Sequence, residues 1–286
     1  MTNWTAKTSQ NVTTVRFESM AAGDVTWVLL RSDAHHDSPY CNRKLERQHL
    51  ELAKERNALI FDAGDTFDAM QGKFDPRRTM EDVREEDRCA DYYGSIVTHA
   101  AENYLPFAQQ WVMFGKGNHE TAVLDKANTD LISNLVYRMN SEAGSNIVSG
   151  GYGGWVRLML KFNSTKAKTY RLKYHHGSGG AAPVTRGAIQ TNRQAVFEPD
   201  ADIVWNGHNH QGYTIPIARE RLSRTGKVST DIVWFIRTPG YKDEWTNVDN
   251  SYGVRMNSGP TPQGCAWLKF YIQSDQLKMS ITSDIE

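Results

Sequence analysis

The stretch that decides the fold is Val25–His35, VTWVLLRSDAH. Val25–Leu30 is a short apolar run, and the chain then breaks into Ser32-Asp33-Ala34-His35. A run of that length bounded by polar residues predicts a buried strand with polar side chains at its C-terminal end. The pattern recurs. Ala58–Ala63 (ALIFDA) runs into Gly64-Asp65, Trp111–Gly115 (WVMFG) into Gly117-Asn118-His119-Glu120, and Asp202–Asn206 (DIVWN) into Gly207-His208-Asn209-His210. In open α/β sheets, ligands collect at the carboxyl ends of strands. Four such strands therefore predict one site assembled from their ends.

Outward from these strands, Cys41 to Arg56 reads as a helix, with Cys41, Leu45, His49, Leu52 and Ala53 on one face. Asp130 to Asn140 (DLISNLVYRMN) reads as a second. The long segment from Ala69 to Gln110 separates the second and third strands. Its charged Met80–Asp91 part is helix-compatible, so a helical insertion over about residues 69–110 is expected beside the site. Three later pairs of apolar runs flank turn residues and predict hairpins. They are Trp155–Phe162 with Thr169–Tyr174, Tyr213–Leu222 with Val228–Ile236, and Ala266–Ile272 with Leu277–Thr282. The expected architecture is a single domain over 1–286 of α/β class, an αββα sandwich of two mixed sheets with flanking helices.

The chain has 286 residues, with 33 basic and 33 acidic side chains. That balance lacks the broad positive field of a protein that grips duplex nucleic acid. The polar N-terminus has no apolar signal core, and no run of about eighteen apolar residues predicts a membrane span. The 3 cysteines, Cys41, Cys89 and Cys265, form no CxxC pair. Reduced thiols and a cytoplasmic location are expected.

Five clusters carry the chemistry, in this order: Asp33-x-His35, Gly64-Asp65-x-x-Asp68, Gly117-Asn118-His119-Glu120, His175-His176-Gly177 and Gly207-His208-x-His210. Of the 9 histidines, only His49 and His99 lie away from them. In an extended segment residues two apart point the same way, so Asp33 with His35, and His208 with His210, can each reach a common centre. Carboxylate, amide and imidazole donors with no thiolate suit manganese, iron, zinc or nickel.

The order D-x-H, G-D-x-x-D, G-N-H-E, H-G, G-H-x-H resembles the calcineurin-like metallophosphoesterase superfamily from Asp33 to His210. The wording SDAHHDSPYCNRKL and HHGSGGAAPVTRG also resembles phage and prophage members of it. The resemblance implies a metallophosphoesterase-type sandwich and two divalent transition-metal ions, manganese first, with iron, zinc or nickel as alternatives. Asp33, His35 and His210 would hold one ion. Asn118, His176 and His208 would hold the other, Asp65 would bridge both, and Asn118 would also touch substrate. His119 would be the general acid, oriented by Asp68. The implied reaction is hydrolysis of phosphate esters, phosphodiesters above all, by water activated between the ions.

Other readings stay open at this stage. Arg43, Lys44 and Arg186 either face the phosphate or are solvated surface charge. His36 and His175 either orient ligands or face solvent, and the Gly177–Gly180 stretch (GSGG) is either a site loop or a simple turn. The substrate is a small ester, a nucleotide or a nucleic acid. The alternatives in function are a nuclease of the repair-exonuclease type, a phosphomonoesterase or phosphoprotein phosphatase, and a non-catalytic binding module on the same fold. The intact His119 and ligand positions favour an enzyme over the module. Oligomeric state is not legible in the sequence.

Overall fold

The computed structural model describes residues 4–69, 82–163, 165–180, 184–246, 248–249 and 251–286. The chain opens with β1 (Trp4–Ser9), β2 (Val12–Met20), β3 (Val25–Arg31), α1 (Arg43–Glu55) and β4 (Leu59–Asp62). It continues with α2 (Tyr92–Tyr104), β5 (Trp111–Phe114), α3 (Asn118–Ala127), α4 (Leu131–Ala143), β6 (Val148–Ser149), β7 (Gly153–Phe162) and β8 (Lys166–His175). It closes with α5 (Ala188–Phe197), β9 (Ile203–Asn206), β10 (Tyr213–Leu222), β11 (Val228–Arg237), α6 (Tyr252–Arg255), β12 (Gly264–Gln273) and β13 (Gln276–Ile285).

These strands form two mixed sheets. One has 6 strands in the order β13-β12-β3-β4-β5-β6, and the other has 7 in the order β1-β2-β7-β8-β9-β11-β10. The neighbours from β3 to β6 are parallel, as are β8, β9 and β11. The three expected hairpins are the antiparallel pairs β7–β8, β10–β11 and β12–β13.

The two-residue period of a strand sorts the side chains into layers. Val28 and Leu30 of β3 pack between the sheets with Val156, Leu158 and Trp205. Leu29 faces the other way, into a cluster with Leu45 and Leu50 of α1, Ala100 of α2 and Leu135 of α4. On the far side, Ala195 of α5 covers Val204, Val233 and Phe235. The result is the αββα sandwich. Ile60 and Phe61 of β4 pair with Trp111 and Met113 of β5, leaving Val112 as an extra residue, so Val112 and Met113 both enter the inter-sheet core while Trp111 and Phe114 face the helices. Such a bulge bends the strand, here just before Gly117-Asn118.

Asn42 starts α1 by accepting the Leu45 N–H at 3.1 Å, and Asp130 starts α4 by accepting the Ser133 N–H at 3.0 Å. The helix expected within Met80–Asp91 is not there. Met80 and Glu81 lie outside the described residues, and the remainder holds one short 3₁₀ turn, Glu85–Asp87. The helix in this region is α2, where Ile96, Val97, Ala100, Ala101 and Tyr104 supply a buried stripe. Among the described residues of the charged segment before it only Val83 and Asp87 are buried, too few for a helical stripe.

Arg31, at the end of β3, is fully buried. Its guanidinium reaches Glu46 of α1 at 2.8 Å and Asp62 of β4 at 2.9 Å. Glu46 also accepts from Tyr104 at 2.5 Å and pairs with His36 Nδ1 at 2.9 Å. Burial works to raise the Glu46 carboxyl, but His36 and Arg31 hold it well below the usual range. Removing one partner of a buried pair strands the other charge. Glu46→Ala is therefore expected to lower the unfolding free energy by about 3–5 kcal/mol in guanidinium titrations, and a change near zero would show that the network is not needed.

Candidate metal centre

Each cluster sits where a strand ends. Asp33 follows β3, Asp65 follows β4, Asn118 follows β5, His176 follows β8, and His208 with His210 follow β9. Backbone bonds continue the sheet into the site, from Asp33 N–H to the Gly64 carbonyl at 2.9 Å and from His35 N–H to the Asp65 carbonyl at 3.0 Å. Asp33, His35, Asp65, His208 and His210 all adopt positive φ, between 46° and 78°. For residues other than glycine such a conformation costs about 1–3 kcal/mol each and persists only when surrounding contacts impose it. Glycines supply the room. A Cβ on Gly207 would overlap Asp33 Oδ2 and Ser32 Oγ, and one on Gly117 would overlap Asp65 Oδ1.

Donor atoms converge in overlapping groups. Asp33, His35 and His210 place ligand atoms within 4.8 Å of one another, as do Asp65, His176 and His208, and as do His35, Asp65 and His119. His35 Nε2 lies 3.3 Å from His210 Nε2. Asn118 Oδ1 lies 2.7 Å from His208 Nδ1 and 3.2 Å from His176 Nε2. All seven ligand positions expected from the sequence meet in one cluster.

The hydrogen bonds test whether cations fit. His176 Nδ1 donates to the Ala63 carbonyl at 3.1 Å. In neutral His176 the Nε2 lone pair then faces Asp65 Oδ2 at 3.0 Å as well as Asn118 Oδ1. Acceptors pointed at acceptors need a proton or a metal ion between them. Burial alone lowers His176, yet Asp65 and Asp33 outweigh it and push it up to about 10. His210 goes the other way, down to about 4, through burial and the nearby His35, despite the attraction of Asp33. Burial and His176 also lower His208. His208 and His210, held towards the neutral form, and His176, whose proton sits where acceptors converge and a cation could replace it, are with the carboxylates a donor set that fits divalent transition metals.

Asp68 behaves differently from the sequence expectation. Its backbone carbonyl, at 2.5 Å, meets His119 Nδ1, whereas its carboxylate is 3.7 Å away. That carboxylate accepts both bonds from the buried Lys242 ammonium, at 3.1 and 3.2 Å, and lies 2.9 Å from His35 Nδ1. Lys242 also pairs with Glu244 at 2.9 Å. Nothing in the sequence marks Lys242, because lysines are ordinarily surface residues. Glu120 was also missed as a structural device. Its carboxylate accepts the N–H groups of Asp65, Phe67 and Gly117, clamping the Asp65 loop to the start of α3. Burial and Asp65 push it up to about 8.

The outer residues also find places. His36 joins the Arg31–Glu46 network, and His175 Nδ1 accepts the Gly177 N–H at 3.0 Å, shaping the glycine loop. Arg43 donates to the His36 carbonyl at 3.0 Å and pairs with Glu86 at 3.1 Å. Arg186 is exposed, at the turn before Gly187, whose backbone packs on Asn209 and Arg237.

No family profile and no curated protein matches the chain. Solved structures do. Vacuolar protein sorting 29 from Cryptosporidium parvum is similar at 10% identity and a TM-score of 0.39, covering 92% of this chain and 99% of that one. A predicted phosphoesterase from Streptococcus pneumoniae TIGR4 is similar at 11% identity and a TM-score of 0.33, covering 92% and 91%. A zinc complex of vacuolar protein sorting 29 from Entamoeba histolytica is similar at 10% identity and a TM-score of 0.35, covering 90% and 98%.

Because a Cβ on Gly207 would displace the Asp33 carboxylate, Gly207→Ala is expected to weaken binding of manganese by at least about tenfold, or about 1.4 kcal/mol. Calorimetric titration of metal-stripped protein measures this. Unchanged affinity would mean that Asp33 is not a ligand.

Proposed function

We propose that this chain is a calcineurin-like metallophosphoesterase, a hydrolase of phosphate esters and of phosphodiesters in particular, built on a centre for two divalent transition-metal ions. The observation that supports this best is the pair of donor clusters flanking Asp65, with His119 at their edge. Asp33, His35 and His210 would hold one ion, Asn118, His176 and His208 would hold the other, and Asp65 would serve both. When bound, two such ions clamp a phosphoryl group and lower the pKa of the water between them.

The chain's own residues do the rest. His119 Nδ1 is tied to the Asp68 carbonyl, an acceptor only, so its transferable proton sits on Nε2. A proton at Nε2 suits delivery to the departing ester oxygen. Asp68 is a positioning residue, since Lys242 and His35 occupy its carboxylate. Arg186 is open to solvent beside the loop that carries His208 and His210, where it can pair with a substrate phosphate. The neutral charge balance favours small esters over long duplexes. No helix among the described residues is long and apolar enough to cross a membrane. All 3 cysteines are free, which fits a cytoplasmic, reducing setting.

His119 also lies within ligand reach of His35 and Asp65, so its role needs a direct test. His119→Asn is expected to keep both metals, read by elemental analysis, while slowing turnover by about 10²–10⁴-fold for poor leaving groups. For p-nitrophenolate, which leaves without protonation, the loss should be much smaller. A uniform loss across a series of leaving-group pKa, or loss of one metal, would contradict the general-acid role.

A further inference from the structure

A second cluster of donors lies away from the centre just described. Cys265 of β12 and Asp284 of β13 are direct cross-strand partners, and His49 of α1 packs over them. One ligand atom from each of the three lies within 4.8 Å of the others, with His49 Nε2 3.6 Å from Asp284 Oδ2. We propose that His49, Cys265 and Asp284 form a separate mononuclear site for a borderline metal ion, zinc or cobalt, that clips α1 to the β12–β13 hairpin.

Two features of the surroundings support a ligand set. The outer atoms are already oriented. His49 Nδ1 lies 3.0 Å from the Tyr241 hydroxyl, and Trp267 Nε1 donates to Asp284 Oδ2 at 3.3 Å. Partners of this kind fix ring and carboxylate for metal binding. Access is also suitable. His49 and Cys265 are buried, while the Asp284 side chain is 44% exposed. The open side leaves room for water in the fourth position of a tetrahedral ion.

The other sulfur-containing group among the described residues, His36, Cys41 and Glu46, has no such capacity. There the Glu46 oxygens are taken by Arg31, Tyr104 and His36. At the proposed site the thiol gives up its proton to solvent on binding, and the resulting thiolate and carboxylate offset the two charges of the ion. A thiolate ligand also separates the two metal sites by preference. The oxygen and nitrogen donors around Asp65 accept manganese, whereas the site with Cys265 selects zinc or cobalt.

Tyr241 links the clip to the main centre, because its backbone N–H donates to the Asp33 carbonyl at 2.9 Å.

The test is cobalt titration of the metal-stripped full chain, followed by thiolate-to-cobalt charge-transfer absorption. The centre around Asp65 contains no sulfur, so this band reports only on a thiolate site and is independent of phosphoesterase activity. The expected result is a single thiolate-bound cobalt per chain. The band should disappear in Cys265→Ser and persist in Cys41→Ser and Asp65→Asn. Tyr241→Phe should keep the band but weaken affinity by about 10–100-fold, as loss of an orienting partner does. Should Cys265→Ser fail to fold, His49→Gln replaces it, with the same expected loss of affinity while the thiol remains. No band in the folded wild-type chain, a band that survives Cys265→Ser, or cobalt affinity unchanged in His49→Gln would each overturn the proposal.

Discussion

The structure depends on how Asp33 is held. Its backbone N–H is bonded to Gly64 and its carbonyl to Tyr241, while both carboxylate oxygens accept the His208 N–H at 3.0 Å. One residue thereby joins the end of β3 in the six-stranded sheet to the end of β9 in the seven-stranded sheet. The residue sits at a φ of 52°, a strained value that these contacts enforce. Gly207 and Gly240 press against it, and a Cβ on Gly240 would come within 2.6 Å of the Asp33 Cβ. Packing of the two sheets and assembly of the site are therefore one event.

Electrostatics explain why the strain is tolerated at this place. Asp33 and Asp65 are both buried among five imidazoles, and the buried Arg31, two residues before Asp33, pairs with Asp62 and Glu46. Buried charges are tolerable when paired. In the inner ring the pairing is incomplete, since acceptors face acceptors across His176. In the outer layer Arg31 pairs with Glu46 and Asp62 and Lys242 with Asp68 and Glu244, while Arg31 Nη1 and His36 Nε2 have no hydrogen-bond partner among the described residues. An ion-paired outer layer around an inner ring of acceptors is the kind of arrangement that preorganises a cation site.

Much of this was legible in the sequence because its causes are local. Short apolar runs such as VTWVLL and DIVWN give strands, and the polar residues that follow must lie at their ends. The three hairpins announced themselves through turn residues between β-rich runs. What stayed hidden depends on distant contacts. The N-terminal hairpin, Trp4–Ser9 with Val12–Met20, alternates weakly and is fixed by pairing of β2 with β7. Helices α3 and α5 carry few buried residues and take their places from the loops before them. Lys242 looks like any surface lysine until the fold buries it against Asp68. The Asp68–His119 contact differed for the same reason: spacing in G-D-x-x-D cannot tell a carboxylate contact from a carbonyl contact.

Hydrolysis of phosphate esters with bound metal, the function proposed for this ring of donors, can be measured directly. The most direct measurement is turnover of chromogenic monoesters and diesters by metal-stripped protein, with manganese, iron, zinc or nickel restored one at a time. The account predicts no turnover without metal and clear cleavage of bis(p-nitrophenyl) phosphate once manganese, or one of the other ions, is returned. Stoichiometric metal binding with no hydrolysis of any ester under any ion would contradict it and leave a metal-binding module without catalysis.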